Sequence, residues 1–184
     1  MKIEKSRKET YFFYEKSSII KKMKFTLYPD EIKNKLIEID LDILYQQSIR
    51  VIVLDVDNTL CSHDEEEISS DKLIWIQHAF ELGMDIVLIS NNHAPRIERI
   101  AKRLGCQYYG FSLKPFPFTY RKMMRKNQWE KENMICIGDQ LFTDILGAKF
   151  MKLRNIYVHP ISEKDIIYTK ISRKIENWIL KERL

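Results

Sequence analysis

The sequence predicts an α/β domain built on a doubly wound, Rossmann-like parallel sheet of about five strands. Three observations carry that expectation. Short runs rich in β-branched residues recur without polar alternation, the pattern of strands covered on both faces. Between them lie stretches with apolar residues at helical spacing. The 184 residues, 45% hydrophobic and 31% charged, suit one globular domain with its own core.

Taken in order, Pro29, Asp30 and Glu31 predict a helix reaching about Ile39, because proline and acidic residues are favoured in a first turn. Residues 49–54 form the first strand. Residues 69–82 predict a helix, with Leu73, Ile76 and Phe80 on one face and Gly83 as its stop. A second strand covers 84–89, a helix closed by Gly105 covers 94–104, and a short third strand covers 107–111. Residues 116–127 read as helix, 133–137 as the fourth strand, 143–150 as a short helix and 156–159 as the fifth strand. The last stretch, 164–184, predicts an amphipathic helix whose stripe of Ile167, Ile171, Ile175 and Trp178 packs on the sheet. Lys170, Arg173, Lys174, Lys181 and Arg183 beside it leave a membrane-facing surface as the alternative.

Charge divides the chain into an arm, 1–28, and a single domain, 29–184. The arm holds eight Lys/Arg against three Glu, which accounts for the whole net charge of +5. Tyr11, Phe12, Phe13 and Tyr14 with Lys21, Lys22 and Lys24 suit either an anionic bilayer surface or a frayed tail. A nucleic-acid partner is not expected, since the basic excess does not belong to the domain. Five Gly and five Pro exclude collagen-like and low-complexity architectures. No run approaches the roughly 20 apolar residues of a membrane span, and the N-terminus lacks the apolar core of a secretory signal. Cys61, Cys106 and Cys136 show no CxxC spacing, which argues against a zinc site or disulfide framework and for a reducing cytoplasm.

In a doubly wound sheet ligands bind beyond the carboxyl ends of the strands, and there the polar residues cluster. After the first strand come Asp55, Val56, Asp57, Asn58, Thr59 and Leu60; acids at i and i+2 share one face while the chain stays extended. A turn is the plain alternative. Ser90, Asn91 and Asn92 follow the second strand and offer a hydroxyl and backbone N–H groups to phosphate, or a helix cap. Lys114-Pro115 follows the third, where the ammonium offsets phosphoryl charge or is simply solvated. After the fourth come Gly138, Asp139 and, past Gln140, Leu141, Phe142 and Thr143, Asp144, which also suits a helix cap. An oxygen-only ligand set suits a hard ion such as Mg2+.

The ordered set, an acid pair, a hydroxyl, a lysine and a second acid pair, each at a strand end, resembles the haloacid dehalogenase (HAD) superfamily over about residues 49–159. The segment from Gly138 to Gly147, Ser90 to Asn92, the Lys-Pro pair and Leu27-Tyr28-Pro29 are similar to its subfamily IIIA, YqeG-like branch, which includes phosphatidylglycerophosphate phosphatases. That resemblance implies a Mg2+-dependent phosphomonoester hydrolase. Asp55 is then the nucleophile that forms an aspartyl-phosphate, and Asp57 the acid and base. Thr59, Ser90, Asn91 and Lys114 bind phosphate or hold its loop. Asp139 coordinates Mg2+ with the Asp55 carboxylate and the Asp57 backbone carbonyl, and Asp144 supports that shell or contacts Lys114.

Only 34 residues separate Asp55 from Ser90, and the helix at 69–82 takes much of that length, so no large cap domain is expected. An open crevice fits a lipid head group, and the implied reaction is dephosphorylation of phosphatidylglycerophosphate at the cytoplasmic membrane face, with peripheral membrane contact. Two alternatives stay open: a soluble sugar- or nucleotide-phosphate phosphatase, and a non-catalytic RNA or ribosome-assembly binding protein. Asp64, Glu65, Glu66 and Glu67 are expected as a solvated loop tip with the acids turned away, and His63 and His93 as neighbours of the crevice. Oligomeric state is not read from the sequence.

Overall fold

The computed structural model describes residues 27–63, 65–92, 94–162, 175, 176 and 178–180. The basic aromatic arm up to residue 26, Asp64, His93, Ile167, Ile171 and the basic residues of the C-terminal stretch lie outside them. Six strands follow in chain order: β1 (Glu31–Lys33), β2 (Val51–Asp55), β3 (Asp85–Ile89), β4 (Gln107–Tyr109), β5 (Met134–Gly138) and β6 (Arg154–Val158). The helices are α1 (Leu41–Gln46), α2 (Ser70–Glu81), α3 (Ala94–Leu104), α4 (Phe118–Asn127) and α5 (Leu146–Met151). A single π-helical turn, Leu141–Ile145, leads into α5.

Every neighbouring pair of strands is parallel, in the order β1-β6-β5-β2-β3-β4. The central strands read as unbroken apolar runs because both faces are covered. Ile52 and Leu54 of β2, Ile86 and Leu88 of β3, and Ile135 and Ile137 of β5 face one layer with Trp75, Ile76 and Ala79 of α2 and Ile97 and Ile100 of α3. Their alternates Val51, Val53, Val87, Ile89, Met134 and Cys136 face the other with Tyr120 and Met123 of α4 and Ala148 of α5. That period of two, with helices on both sides, is the doubly wound architecture.

The chain runs from β2 outward through β3 to β4, then returns to set β5 on the opposite flank of β2. Strand order therefore reverses between β2 and β5, where such folds open a crevice. Register sharpens the consequence. Leu54 lies abreast of Ile137 and Asp55 abreast of Ile89, so the residues after these strands emerge at one level.

Two expectations are corrected. Residues 29–39 are not one helix: they form the edge strand β1 and a 3-10 turn at Leu36–Glu38, which raises the sheet to six strands. Asp30 explains it. Its carboxylate accepts from the backbone N (3.1 Å) and Nδ2 (2.6 Å) of Asn155, whose Oδ1 accepts in return from the Asp30 N–H at 3.1 Å. The acid that would cap a helix instead pins the chain to β6. The C-terminal stripe is corrected too. Ile175 and Trp178 are exposed, whereas Glu176, Ile179 and Leu180 are buried. Glu176 Oε1 accepts from the N–H of Leu141 at 2.9 Å and of Phe142 at 3.4 Å, at the start of the π turn, where unpaired N–H groups need acceptors. A carboxylate thus decides which face turns inward.

Among the described residues no helix is long and apolar enough to cross a membrane. Asn155→Ala removes the one donor and the one acceptor that the side chain gives Asp30, and should cost about 1–3 kcal/mol, read by urea unfolding.

Candidate active site

A cleft of about 180 Å³ opens where the strand order reverses, and Asp55, Asp57, Ser90, Asn91 and Lys114 all line it. Its floor is a buried charge cluster. Lys114 Nζ lies 2.5 Å from Asp55 Oδ1 and 2.6 Å from Asp144 Oδ1, and it also donates to the carbonyl of Ile89 at 3.4 Å. Asp139 and Asp144 are almost wholly buried as well. One carboxylate oxygen from each of Asp55, Asp139 and Asp144 lies within 4.8 Å of the others. The carboxylates that leave two neighbouring strands therefore do meet.

Gly138 makes this convergence feasible. A Cβ there would fall 2.6 Å from Asp144 Cβ, so only glycine lets the π turn fold back against the end of β5. Asp144 Oδ2 then accepts from the N–H of Gln140 at 3.1 Å. Thr59, expected among the phosphate-binding groups, is buried behind the cleft and donates to Asp139 Oδ1 at 3.1 Å. Asn91, expected likewise, directs its amide at the loop that carries Lys114. Its Oδ1 accepts from Ser112 Oγ (2.9 Å) and from the Lys114 N–H (2.7 Å), and its Nδ2 donates to the Lys114 carbonyl (3.0 Å).

Burial pushes the carboxyl pKa of Asp55 well above the ordinary range, and the charges of Asp144 and Asp139 add to that against the pull of Lys114. Burial also works against the Lys114 charge, but Asp144 and Asp55 outweigh it and hold its pKa above the ordinary value. Asp55 Oδ2 is buried without a hydrogen-bond partner. If all three carboxylates are ionised, Lys114 offsets one charge and a divalent ion would offset the other two. An orphaned oxygen in an oxygen-only set of that charge fits a hard cation. The side chain of Asp57 stands apart from this trio.

Asp57 has its own donors. Arg96 grips its Oδ1 with both terminal nitrogens, at 2.9 and 2.8 Å, while Ser90 Oγ (3.0 Å) and Asn92 Nδ2 (2.8 Å) donate to Oδ2. Arg96 also donates to the carbonyls of Ser62 and Glu65, fastening the loop after β2. The expected loop tip is therefore tied to α3. Glu66 pairs with Arg99 at 2.5 Å, while Glu65 and Glu67 are exposed. Sequence reasoning named Asn92 for its backbone N–H and not for its amide, and it missed Arg96 and Lys72, whose Nζ donates to the carbonyls of Thr59 and Leu60. Arg96 did leave a signal, a cation in the first turn of a helix, where the dipole disfavours it. Burial pushes the Cys61 thiol up to about 11 and the Cys136 thiol up to about 12, so neither is a thiolate near neutral pH.

Comparison with known proteins gives these residues a context. The family model described as mitochondrial PGP phosphatase matches residues 14–162. The probable phosphatase YqeG of Bacillus subtilis is 30% identical over 152 residues, covering 83% of this chain and 88% of its own. Among solved structures, an uncharacterized protein from Listeria monocytogenes superposes with a TM-score of 0.52 at 13% identity, over 64% of this chain and 85% of that one. A hypothetical protein from Xanthomonas campestris gives 0.50 at 13% identity, over 67% and 71%. At such identities the two structures attest the shared fold.

Lys114→Met leaves three buried carboxylates facing one another and should destabilise the domain by about 3–5 kcal/mol at neutral pH. The sign of its pH dependence follows from linkage. In wild type, the raised Lys114 pKa contributes stability that is complete below 10.5 and lost as the pH climbs above it. In the variant, the raised Asp55 pKa means that the folded state holds protons the unfolded chain has released, so stability falls as the pH rises past 3.8. Urea unfolding across pH, with a chelator present, checks both slopes.

Proposed function

The chain belongs to the family described as mitochondrial PGP phosphatase, and on that premise we propose that it dephosphorylates phosphatidylglycerophosphate at the cytoplasmic face of a membrane, using Asp55 as nucleophile. It is a HAD-type phosphoric monoester hydrolase, which sets aside the non-catalytic reading. One observation carries the mechanism: Asp55 at the end of β2 has one oxygen fixed by Lys114 and the other without a partner, at the wall of an open cleft.

In this reading the Asp55 carboxylate attacks phosphorus, the ester P–O bond breaks, and Asp57 gives its proton to the departing alkoxide. A water then attacks the aspartyl-phosphate, Asp57 takes a proton from it, and Asp55 is regenerated as orthophosphate leaves. Ser90 and Lys114 line the cleft where the phosphoryl oxygens would sit, while Asn91 and Thr59 hold Lys114 and Asp139 in place for them. Asp55 and Asp139, with Asp144 behind them, would hold Mg2+; Asp57 would contribute its backbone carbonyl. The charge screening that a bound Mg2+ supplies lets an anionic carboxylate approach an anionic phosphate.

The lipid assignment rests on the family and on a cleft that none of the described residues caps. On either side of residue 64, the described residues between Val56 and Ser69 are tied down by Arg96, Arg99 and Lys72, so they form a wall beside the cleft and not a cover over it. A head group presented at a surface can reach such a cleft without being engulfed.

Phosphate release from phosphatidylglycerophosphate in vesicles is expected to exceed release from glycerol 3-phosphate or sugar phosphates, and faster turnover of the soluble esters would overturn the substrate assignment. Asp55→Asn should lose about a thousandfold or more, and Asp57→Asn about 10²–10⁴-fold, on every substrate. Chelation should abolish turnover and added Mg2+ restore it, with Asp139→Asn needing at least about tenfold more Mg2+. Full activity of Asp55→Asn, or of the chelated enzyme, would overturn the mechanism.

A further inference from the structure

The loop that delivers Lys114 is apolar on its outer side. Phe111, Leu113, Phe116 and Phe118 are 57%, 60%, 57% and 64% exposed, while Ser112 and Lys114 between them are buried. The backbone enforces that alternation. Phe111 and Leu113 adopt left-handed φ values of 49° and 54°, a region that non-glycine residues seldom occupy. The strained turn is held by Ser112, whose N–H donates to the Ser90 carbonyl at 3.0 Å and whose carbonyl accepts from Thr119 Oγ1 at 2.9 Å. Inward-facing residues serve the cleft, and the outward-facing ones reach solvent at its rim. The rings of Phe116 and Phe118 lie 6.3 Å apart and form a patch, with Phe111 and Leu113 exposed on the same short loop. Apolar patches of this kind mark contact surfaces.

The helix that follows supplies the matching charge. On α4, positions three, four and seven after Phe118 are Arg121, Lys122 and Arg125, which share its outer face and are exposed. Tyr120 and Met123 point the opposite way, into the core. No acidic residue occurs in α4. An apolar tip continuing into an all-basic face matches the acyl boundary and the anionic head groups of a bilayer.

We propose that residues 111–118 and the outer face of α4 seat this protein on an anionic phospholipid surface, with the cleft opening onto the head groups beside Lys114. This deepens the proposed function and rests on it for the identity of the substrate, but the surface itself is tested without any turnover. An RNA strand, which aromatic and basic groups can also bind, is the competing occupant.

The test uses the full chain and vesicles of phosphatidylcholine with or without phosphatidylglycerol, free of phosphatase substrate. Wild type is expected to sediment with the anionic vesicles and far less with the neutral ones. Phe116→Ser/Phe118→Ser should weaken that binding about tenfold or more, while hydrolysis of a soluble aryl phosphate stays within about twofold. Arg121→Glu/Arg125→Glu should weaken binding at low salt, with the difference from wild type shrinking at high salt. The proposal is overturned if wild type ignores anionic vesicles, if both double variants bind them as wild type does, or if soluble-ester hydrolysis falls in step with vesicle binding. Binding of single-stranded RNA through the same residues, with no vesicle binding, overturns it too. Vesicle binding lost in the variants while wild type leaves phosphatidylglycerophosphate intact would sustain this surface and sink the substrate reading alone.

Discussion

An ammonium group shared by two buried carboxylates organises this molecule. Lys114 reaches from the loop after β4 to Asp55 at the end of β2 and to Asp144 beyond β5, drawing together three separate stretches of chain. None of these charges is tolerable alone in so dry a place, and breaking one pair exposes the remainder to uncompensated desolvation. The supporting contacts follow from that constraint. The Asn91 amide braces the lysine loop, Thr59 braces Asp139, and Gly138 yields the space that Asp144 fills. A binding cleft results because the sheet delivers the carboxylates at one level and the lysine cancels only part of their charge.

What was legible in the chain was whatever burial forces upon composition. Strands covered on both faces must be apolar throughout, so β2, β3 and β5 stand out, and a carboxylate directly after such a run stands out with them. Asp55, Asp57, Ser90, Lys114, Asp139 and Asp144 stand out as polar residues placed after strands, and the structure gathers them round one cleft or its floor. The edge strand β1 was not legible. Pro29, Asp30 and Glu31 would begin a helix equally well, and the deciding partner, Asn155, is 125 residues away in sequence. Glu176 was hidden for a similar reason. A charged residue is expected outside, so the stripe of Ile175 and Trp178 reads as the inner face, whereas the N–H groups of Leu141 and Phe142 need an acceptor and draw Glu176 inward. Long-range polar contacts of this sort reverse local preferences, and periodicity carries no trace of them.

The segment between β2 and α2 shows how a short connection substitutes for a domain. Its acidic run looked hostile to an anionic ligand. Three arginines of α3 resolve the difficulty: Arg99 pairs with the Glu66 side chain, while Arg96 and Arg103 bind the backbone carbonyls of Glu65 and Glu66. The helix thereby pairs Glu66 and fastens the backbone of Glu65 and Glu66 beside the cleft. Among the described residues nothing encloses the cleft, which is why the proposed function draws selectivity from how the substrate is presented.

Asp57 brings these threads to one atom pair. Both of its oxygens are engaged, Oδ1 by the Arg96 fork and Oδ2 by Ser90 and Asn92. A carboxylate so saturated with donors is well oriented and poorly placed to hand over a proton, because any new partner must displace an existing one. Ser90 is the donor with a natural alternative, since a phosphoryl oxygen entering the cleft can accept from its hydroxyl. An arriving phosphate would then draw Ser90 away and free Oδ2 to take up a proton from water or from the phosphate monoanion and pass it to the ester oxygen, while Arg96 keeps the carboxylate aimed. On the proposed role of Asp57, binding and proton transfer would be linked through one hydroxyl, and the arginine that sequence reasoning overlooked would keep the linkage in register.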